Sequence, residues 1–437
     1  MTISVQYPTG EEAARAAEAA LTPTAHSMVG SRILKIAGQV KAMQAVDSDI
    51  CNLTVGDFAP AEFPIPENLT ARIEAMMAAG ETNYPPADGM PQLRQAICDF
   101  YERNLGVKFP MESIVVGSGA RPPIYAAYEL LLDPGEALLY AIPSWNNEYY
   151  VHINNARAIT IETTPEQGFM PTLEQLRPHL GEARVLHLNS PLNPCGTCID
   201  EGVLKEICEA VVEENRRREA NGERSLILLY DMVYWLMTHG EVKHYHPIQV
   251  CPEIAPYTIY VDAISKAFAG TGLRVGWGVV PPYIQGKFKA LVGHMGAWAP
   301  RPIQLATAAF LNDQEACEQF LDGFLGQVQA RLNCIHETFS AMEADGLPVH
   351  AIGPQGAIYL SIKVDLRGKT LPNGEVITTN EQIREYLLME AKVAVVPFRA
   401  FGLEGENGWF RMSIGAVSLE ALQRAMVRFD KAVRAIC

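Results

Sequence analysis

Between Ile114 and Val280 the sequence alternates short apolar runs with longer stretches of helical periodicity. That rhythm limits the fold more than any other feature of the chain. The apolar runs are Ile114–Val116, Ala137–Ala141, Ala158–Thr163, Val185–Asn189, Leu226–Tyr230, Thr258–Asp262 and Val275–Val280. Helical stretches such as Tyr125–Leu132 and Val203–Arg217 lie between most of them. A strand that reads as one continuous apolar run is covered on both faces, and the intervening helices supply the cover. The expected fold is therefore α/β, a mostly parallel seven-stranded sheet sandwiched by helices. Ligands in such sheets bind beyond the carboxyl ends of the strands, so the chemically interesting residues should follow strands directly.

The rest of the chain frames this sheet. Residues 1 to about 50 are Ala-rich and read as one or two helices on an N-terminal arm. Leu53–Phe58 reads as a short strand reaching Gly56, followed by a loop through Pro60, Pro64 and Pro66. A second loop, Asn83–Gly89, leads into a helix from Pro91 to about Asn104. After Val280 the pattern is helical to about Asp345. A smaller α+β unit then uses Ile358–Ile362, Glu381–Glu390, Val393–Val396, Trp409–Ser413 and a last helix from Leu419 to Ala435. The division expected is an arm over 1–55 that joins the small domain, a large domain over 56–325 and a small C-terminal domain over 326–437.

A chain of 437 residues, 48% hydrophobic and 19% charged, can bury a full-sized core. Its net charge of −15 argues against nucleic acid or an anionic membrane as the main partner. No apolar run is long enough to span a bilayer, and Met1 to His26 does not have the layout of a signal peptide. The nine cysteines show no disulfide spacing, which fits a reducing cytoplasm.

Five strand ends carry side chains of distinct chemistry. Ile114–Val116 runs into Gly117-Ser118-Gly119-Ala120-Arg121 and a helix, where exposed N–H groups suit a phosphate. Ala137–Ala141 is followed by Trp145, an aromatic plane, and Val185–Asn189 by a Pro-rich turn presenting the Asn193 amide. Leu226–Tyr230 ends at Asp231, an expensive place for a carboxylate unless it meets a cation or a donor. Thr258–Asp262 leads to Ser265-Lys266, with Gly270, Gly272, Arg274 and Gly276 close behind. Apolar neighbours favour the neutral, nucleophilic amine, which forms a Schiff base with an aldehyde, and a planar guanidinium suits a phosphate. An amine for an aldehyde beside an arginine for a phosphate points to pyridoxal 5'-phosphate.

The order of these pieces resembles the class I/II pyridoxal-phosphate-dependent aminotransferases, with the aspartate aminotransferase-like fold, from about Leu53 to the C-terminus. The most specific matches are Asn193-Pro194-x-Gly196, Asp231-x-x-Tyr234, and Ser265-Lys266 with Arg274 and Gly276. The resemblance implies that Lys266 binds the cofactor aldehyde and moves the substrate proton, and that Asp231 pairs with the ring nitrogen. It implies that Asn193 and Tyr234 bond the ring oxygen and that Trp145 stacks on the ring. Gly119, Ala120, Arg121, Ser265 and Arg274 would hold the phosphate, and Tyr84 would reach the phosphate of a neighbouring subunit. Arg411 would grip the substrate α-carboxylate, with the Gly56 backbone closing over it. The partners implied are an L-amino acid, such as aspartate or an aromatic one, a 2-oxo acid such as 2-oxoglutarate, and a second copy of the chain. Arg301 is a candidate for reading a second substrate carboxylate, the alternative being an arginine at the surface or supporting the dimer. His294, Trp298 and Phe398 could instead shape an aromatic or larger apolar pocket.

Three positions depart from the pattern. Cys195 stands for the usual threonine, Ala263 for a frequent phosphate-binding serine, and Phe398 for a common glycine. Other readings have less support. Cys195-Gly196-Thr197-Cys198 has redox spacing without a thioredoxin-like order of elements around it. His239, His244 and His246 are irregularly spaced and read as a solvated loop rather than a metal site, so no metal is expected. Gly270-Thr271-Gly272 fails the dinucleotide fingerprint. A regulator reusing the fold would need a basic module, but residues 1–50 hold four Lys/Arg against five acidic residues. A lyase, cyclase or decarboxylase of the same fold shares the same lysine, aspartate and arginine.

Overall fold

A computed structural model describes residues 2–371 and 373–437, so Met1, where the expected arm begins, lies outside it. All seven anticipated segments are strands of one sheet. Its order is Ile114–Gly117, Gly276–Val279, Thr258–Ala263, Ile227–Asp231, Ala183–Asn189, Ala137–Ile142, Arg157–Glu162. Gly276–Val279 is antiparallel to both neighbours and every other pairing is parallel. The central strands are buried along their whole length, as continuous apolar runs require. The edge strand Arg157–Glu162 exposes four of its six residues, and it alone carries charge at both ends.

The period of two sorts each strand's side chains onto two cores. Val185, Leu229 and Val261 face Ile124 and Phe288 on one side. Leu186, Leu228 and Tyr260 face Ile207 and Val211 on the other. Each such aliphatic burial is worth about 1.5–3 kcal/mol. Helix Glu201–Ala220 is started by Asp200, whose carboxylate accepts from the N–H groups of Gly202 and Val203. Helix Pro91–Leu105 begins on proline and stops at Gly106 in the left-handed region, φ 67°.

The 31-residue helix Gln314–Ala344 leads to a four-stranded antiparallel sheet, ordered Val396–Pro397, Trp409–Ser413, Tyr359–Val364, Val349–Ala351. The final helix, Leu419–Ile436, packs on helix Gln314–Ala344 through Phe429 against Phe339, ring centroids 5.1 Å apart. In this sheet Ser361 pairs with Arg411, and Tyr359 with Ser413.

Three expectations need correction. The arm holds three helices, Gly10–Ala20, Pro23–His26 and Arg32–Gln44, because Thr22 and Ser31 each cap a new start. The strand expected over Leu53–Phe58 is instead Cys51–Asn52, paired with Val393–Ala394. From Thr54 onward the carbonyls have other partners: Arg411 takes that of Thr54 and the Ser413 hydroxyl takes that of Val55. The histidines expected on a solvated loop are inside. His239 and His246 are buried, and His246 packs on Tyr260 with centroids 4.3 Å apart. His244 lies between Tyr230 and Trp235 with both ring nitrogens buried and unpartnered.

Candidate active site

The strand Thr258–Ala263 passes into the single turn Ile264–Ala267, which lifts Lys266 off the sheet edge. Lys266 Nζ donates to the Gly56 carbonyl at 2.5 Å and lies 5.9 Å from the ring centres of Phe58 and Tyr234. One strand over, Asp231 closes Ile227–Asp231 and is buried. Its Oδ1 accepts from Val233 N–H at 3.1 Å. Burial pushes its carboxyl up to about 6, against the Val233 N–H and the Lys266 charge, which pull it down. A cationic ring nitrogen against Asp231 would offset that burial.

The next two strand ends form a cradle of main chain. Arg274, at φ 58°, donates Nη2 to the Ser118 carbonyl at 2.9 Å and Nη1 to that of Thr271 at 2.7 Å. A Cβ on Gly119 would sit 2.4 Å from Arg274 Nη2, and one on Gly276 would sit 2.4 Å from the carbonyl carbon of Gly119. Gly276 meets only main chain and has no room for a side chain, while Gly119, at φ 87°, holds a backbone that other residues rarely adopt. Directly after them helix Arg121–Leu131 opens its N-terminus toward the same space. Ser265 lines it from below, and Arg121 lies 4.7 Å over the Trp145 ring. Unpaired N–H groups at a helix start beside a guanidinium form an anion site.

The opposite end is built from the small sheet. Arg411 is buried, donating Nη1 to Asn193 Oδ1 at 3.0 Å and Nη2 to the Thr54 carbonyl at 2.6 Å. Its guanidinium stacks between Tyr359 at 4.6 Å and Phe401 at 4.9 Å, and Nε is buried with no partner. Tyr234 and Tyr359 bring their hydroxyls to 2.7 Å. Tyr359 and the Thr54 carbonyl are parts of the site that the reading of strand ends missed. Both come from the small sheet and the arm, where no strand-to-helix turn marks them.

One cavity of about 430 Å³ gathers these groups. Gly56, Ala120, Arg121, Trp145, Asn193, Asp231, Tyr234, Ser265, Lys266, Arg274 and Arg411 all line it. Gly119 lies behind it, against Arg274. Tyr84 and Arg301 are outside. Tyr84 is 80% exposed, its ring 5.3 Å from Trp298, and Arg301 pairs with Glu81 at 2.6 Å. Phe398 does not shape the cavity, since it is wholly buried against Phe169 and Trp409. Burial pushes both thiols of Cys195 and Cys198 up, the latter to about 12, which removes the thiolate a redox pair needs. Among the described residues no group of three metal-ligating side chains converges.

Comparison with known proteins gives the same assignment over the length of the chain. The profile of the family "Aminotransferase class I and II" matches residues 48–429. The chain belongs to this family. An aspartate aminotransferase of Rhizobium meliloti (strain 1021) is 30% identical over 423 residues, covering 95% of this chain and 98% of that one. An aspartate/prephenate aminotransferase of Thermus thermophilus is 29% identical over 416 residues, covering 94% and 96%. A crystal structure of the Rhizobium meliloti aspartate aminotransferase superposes with a TM-score of 0.86 at 27% identity, over 95% of this chain and 99% of that one. The Thermus thermophilus aspartate aminotransferase with maleate gives 0.81 at 26% identity, over 94% and 99%. The protein is thus a pyridoxal-phosphate-dependent aminotransferase of the aspartate aminotransferase-like fold. The cavity fits the family's cofactor. Its glycine cradle admits a phosphate, its buried carboxylate calls for a cation, and its lysine amine lines the same cavity.

Proposed function

We propose that this aminotransferase transfers the amino group of an acidic L-amino acid to a 2-oxo dicarboxylic acid, in two half-reactions at one cavity. The observation behind this reading is the number of cations in the cavity. Four line it among the described residues: Lys266, Arg274, Arg121 and Arg411. Bound pyridoxal phosphate supplies an aldehyde that condenses with amines and a ring that accepts the electrons of the broken Cα–H bond. Lys266 would hold the aldehyde, and its Nζ, as a free amine, would take the substrate Cα proton and return it one atom along. Asp231 would keep a proton on the ring nitrogen, and the cradle of Gly119, Ala120, Ser265 and Arg274 would fix the phosphate. Arg411 grips the α-carboxylate with the fork that Asn193 and Thr54 hold in place, so that the Cα–H bond is oriented. Arg121, expected at the phosphate, lies instead over the Trp145 ring, and we read it as the cation of the cavity left for a second carboxylate.

Arg301 is a weaker candidate for that carboxylate, because Glu81 already neutralises it. The relatives agree with an acidic substrate, being named aspartate aminotransferases, one of them solved with maleate. Arg121→Gln is expected to lower the preference for aspartate over an apolar amino acid by about 10- to 100-fold, from one charge-assisted bond. Arg301→Ala is expected to leave it unchanged, and the reverse pattern would move the role to Arg301. Release of ammonia or carbon dioxide in place of amino transfer would favour a lyase or decarboxylase. We read Tyr84, exposed beside Trp298, as part of a homodimer contact. Sedimentation of a monomer at micromolar concentration would refute that contact.

A further inference from the structure

Tyr359 starts the strand Tyr359–Val364 and touches the supports of four site residues at once. Its hydroxyl lies 2.7 Å from that of Tyr234, and its ring lies under the Arg411 guanidinium at 4.6 Å. A Cβ on Gly56 would come within 2.6 Å of that hydroxyl, so the segment whose carbonyl receives Lys266 rests against it. Its own carbonyl oxygen lies 2.0 Å from where a Cβ on Gly196 would be, which seats the Asn193–Gly196 turn on the same main chain.

Each phenol has one hydrogen. Across a 2.7 Å contact one phenol donates and the other accepts, and neither hydroxyl has a second protein partner among the described residues. Arg411 lies over the Tyr359 ring, whereas Tyr234 lines the cavity beside Asp231 and Lys266. We propose that Tyr359 is a positioning residue of the transfer reaction. Its O–H donates to Tyr234 Oη and so commits the Tyr234 hydrogen to the cofactor's ring oxygen, while its ring holds Arg411 for the substrate carboxylate. A phenol that accepts a hydrogen bond donates a stronger one, so Tyr359 strengthens the bond from Tyr234 without touching the ring oxygen itself. This inference rests on the cofactor reading above.

The test is Tyr359→Phe, which keeps the ring and deletes the hydroxyl, measured beside Tyr234→Phe and the double variant in cofactor-loaded protein. Stronger donation to the ring oxygen favours its anionic form and lowers the pH at which the visible absorption band changes. Losing one hydrogen bond should therefore raise that midpoint by about half a unit to one unit. The same variant should lower kcat by about 3- to 10-fold with little change in KM. Tyr359→Leu, which also removes the ring under Arg411, should raise KM for the amino acid about tenfold. The double variant should match Tyr234→Phe alone, because Tyr359 acts through Tyr234. An unmoved midpoint in Tyr359→Phe, or additive effects in the double variant, overturns the inference and leaves the cofactor reading intact. Wild-type protein that shows no visible band with pyridoxal phosphate overturns both.

Discussion

Replacing Gly276 with alanine separates the cradle from the rest of the fold. The added Cβ would stand 2.4 Å from the carbonyl carbon of Gly119 and 2.6 Å from Ala120 N. Ordinary contact distances are about 3.5 Å, so the two main chains must part by about 1 Å. Both contacting atoms are backbone, and no side chain can swing away to relieve them. The cost to folding is that of an overpacked core position, about 1–3 kcal/mol. The cost to cofactor binding is larger, because a 1 Å shift takes hydrogen bonds of about 2.9 Å beyond useful length. Losing two bonds to a charged phosphate, at about 1.5–3 kcal/mol each, weakens binding by roughly 10² to 10⁴. The assay is titration of the apoprotein with pyridoxal phosphate followed by absorbance, together with thermal melting of the same apoprotein. Gly286→Ala is the control: that glycine is exposed on helix Pro282–Met295 with nothing within 4 Å of its added Cβ, and it should bind as wild type. Cofactor affinity within about threefold of wild type in a folded Gly276→Ala, well short of one such bond, would refute the cradle.

Two further outcomes follow from the same geometry. Arg411→Lys keeps the charge but loses the fork between Asn193 and Thr54, so kcat/KM for the amino acid should fall by about 10²-fold, mostly through KM, with cofactor loading unchanged. Steady-state kinetics with the loaded enzyme would show it, and an unaltered KM would sink it. Burial holds His187 down at about 4 and His244 at about 3, so both stay neutral in the fold at pH values where the unfolded chain takes up protons. Their contribution to stability is complete above about 6.5 and is lost as pH falls toward those values. Asp231 and Asp262, raised to about 6 and about 7, oppose them, since their folded forms keep protons that the unfolded chain releases. His244→Phe removes one of the acid-labile groups, so the stability lost between pH 7 and pH 5 should shrink by about 2 kcal/mol in denaturant unfolding of the apoprotein. An unchanged loss would show that His244 is charged or solvated.

The two halves of the site differ in how far local sequence could reveal them, and the reason is physical. Parallel strands joined by helices deliver their carboxyl ends to one edge of a sheet. Asp231, Lys266 and Asn193 could therefore be placed together from the strand pattern alone, across wide gaps in sequence. The arginine-and-tyrosine end obeys no such rule. Arg411 reaches Asn193 over 218 residues and Thr54 over 357, through an antiparallel sheet whose register is not written in its composition. Tyr359 sits in Ala357-Ile358-Tyr359-Leu360, four residues that read as strand core. Only the pairing of Ser361 with Arg411 turns its ring under the guanidinium. The histidines fail for the opposite reason. Their polar stretch has loop composition, but Tyr230, Trp235 and Tyr260 form an aromatic wall that encloses it. Enclosure by residues from other elements is a tertiary property, and no window of local sequence contains it. Phe398 makes the same point from the core. A phenylalanine in place of a common glycine suggested a change at the substrate, yet its ring fills space between Phe169 and Trp409. A departure from a family pattern bears on the substrate only when the fold turns that side chain into the cavity, and here the fold turns it away.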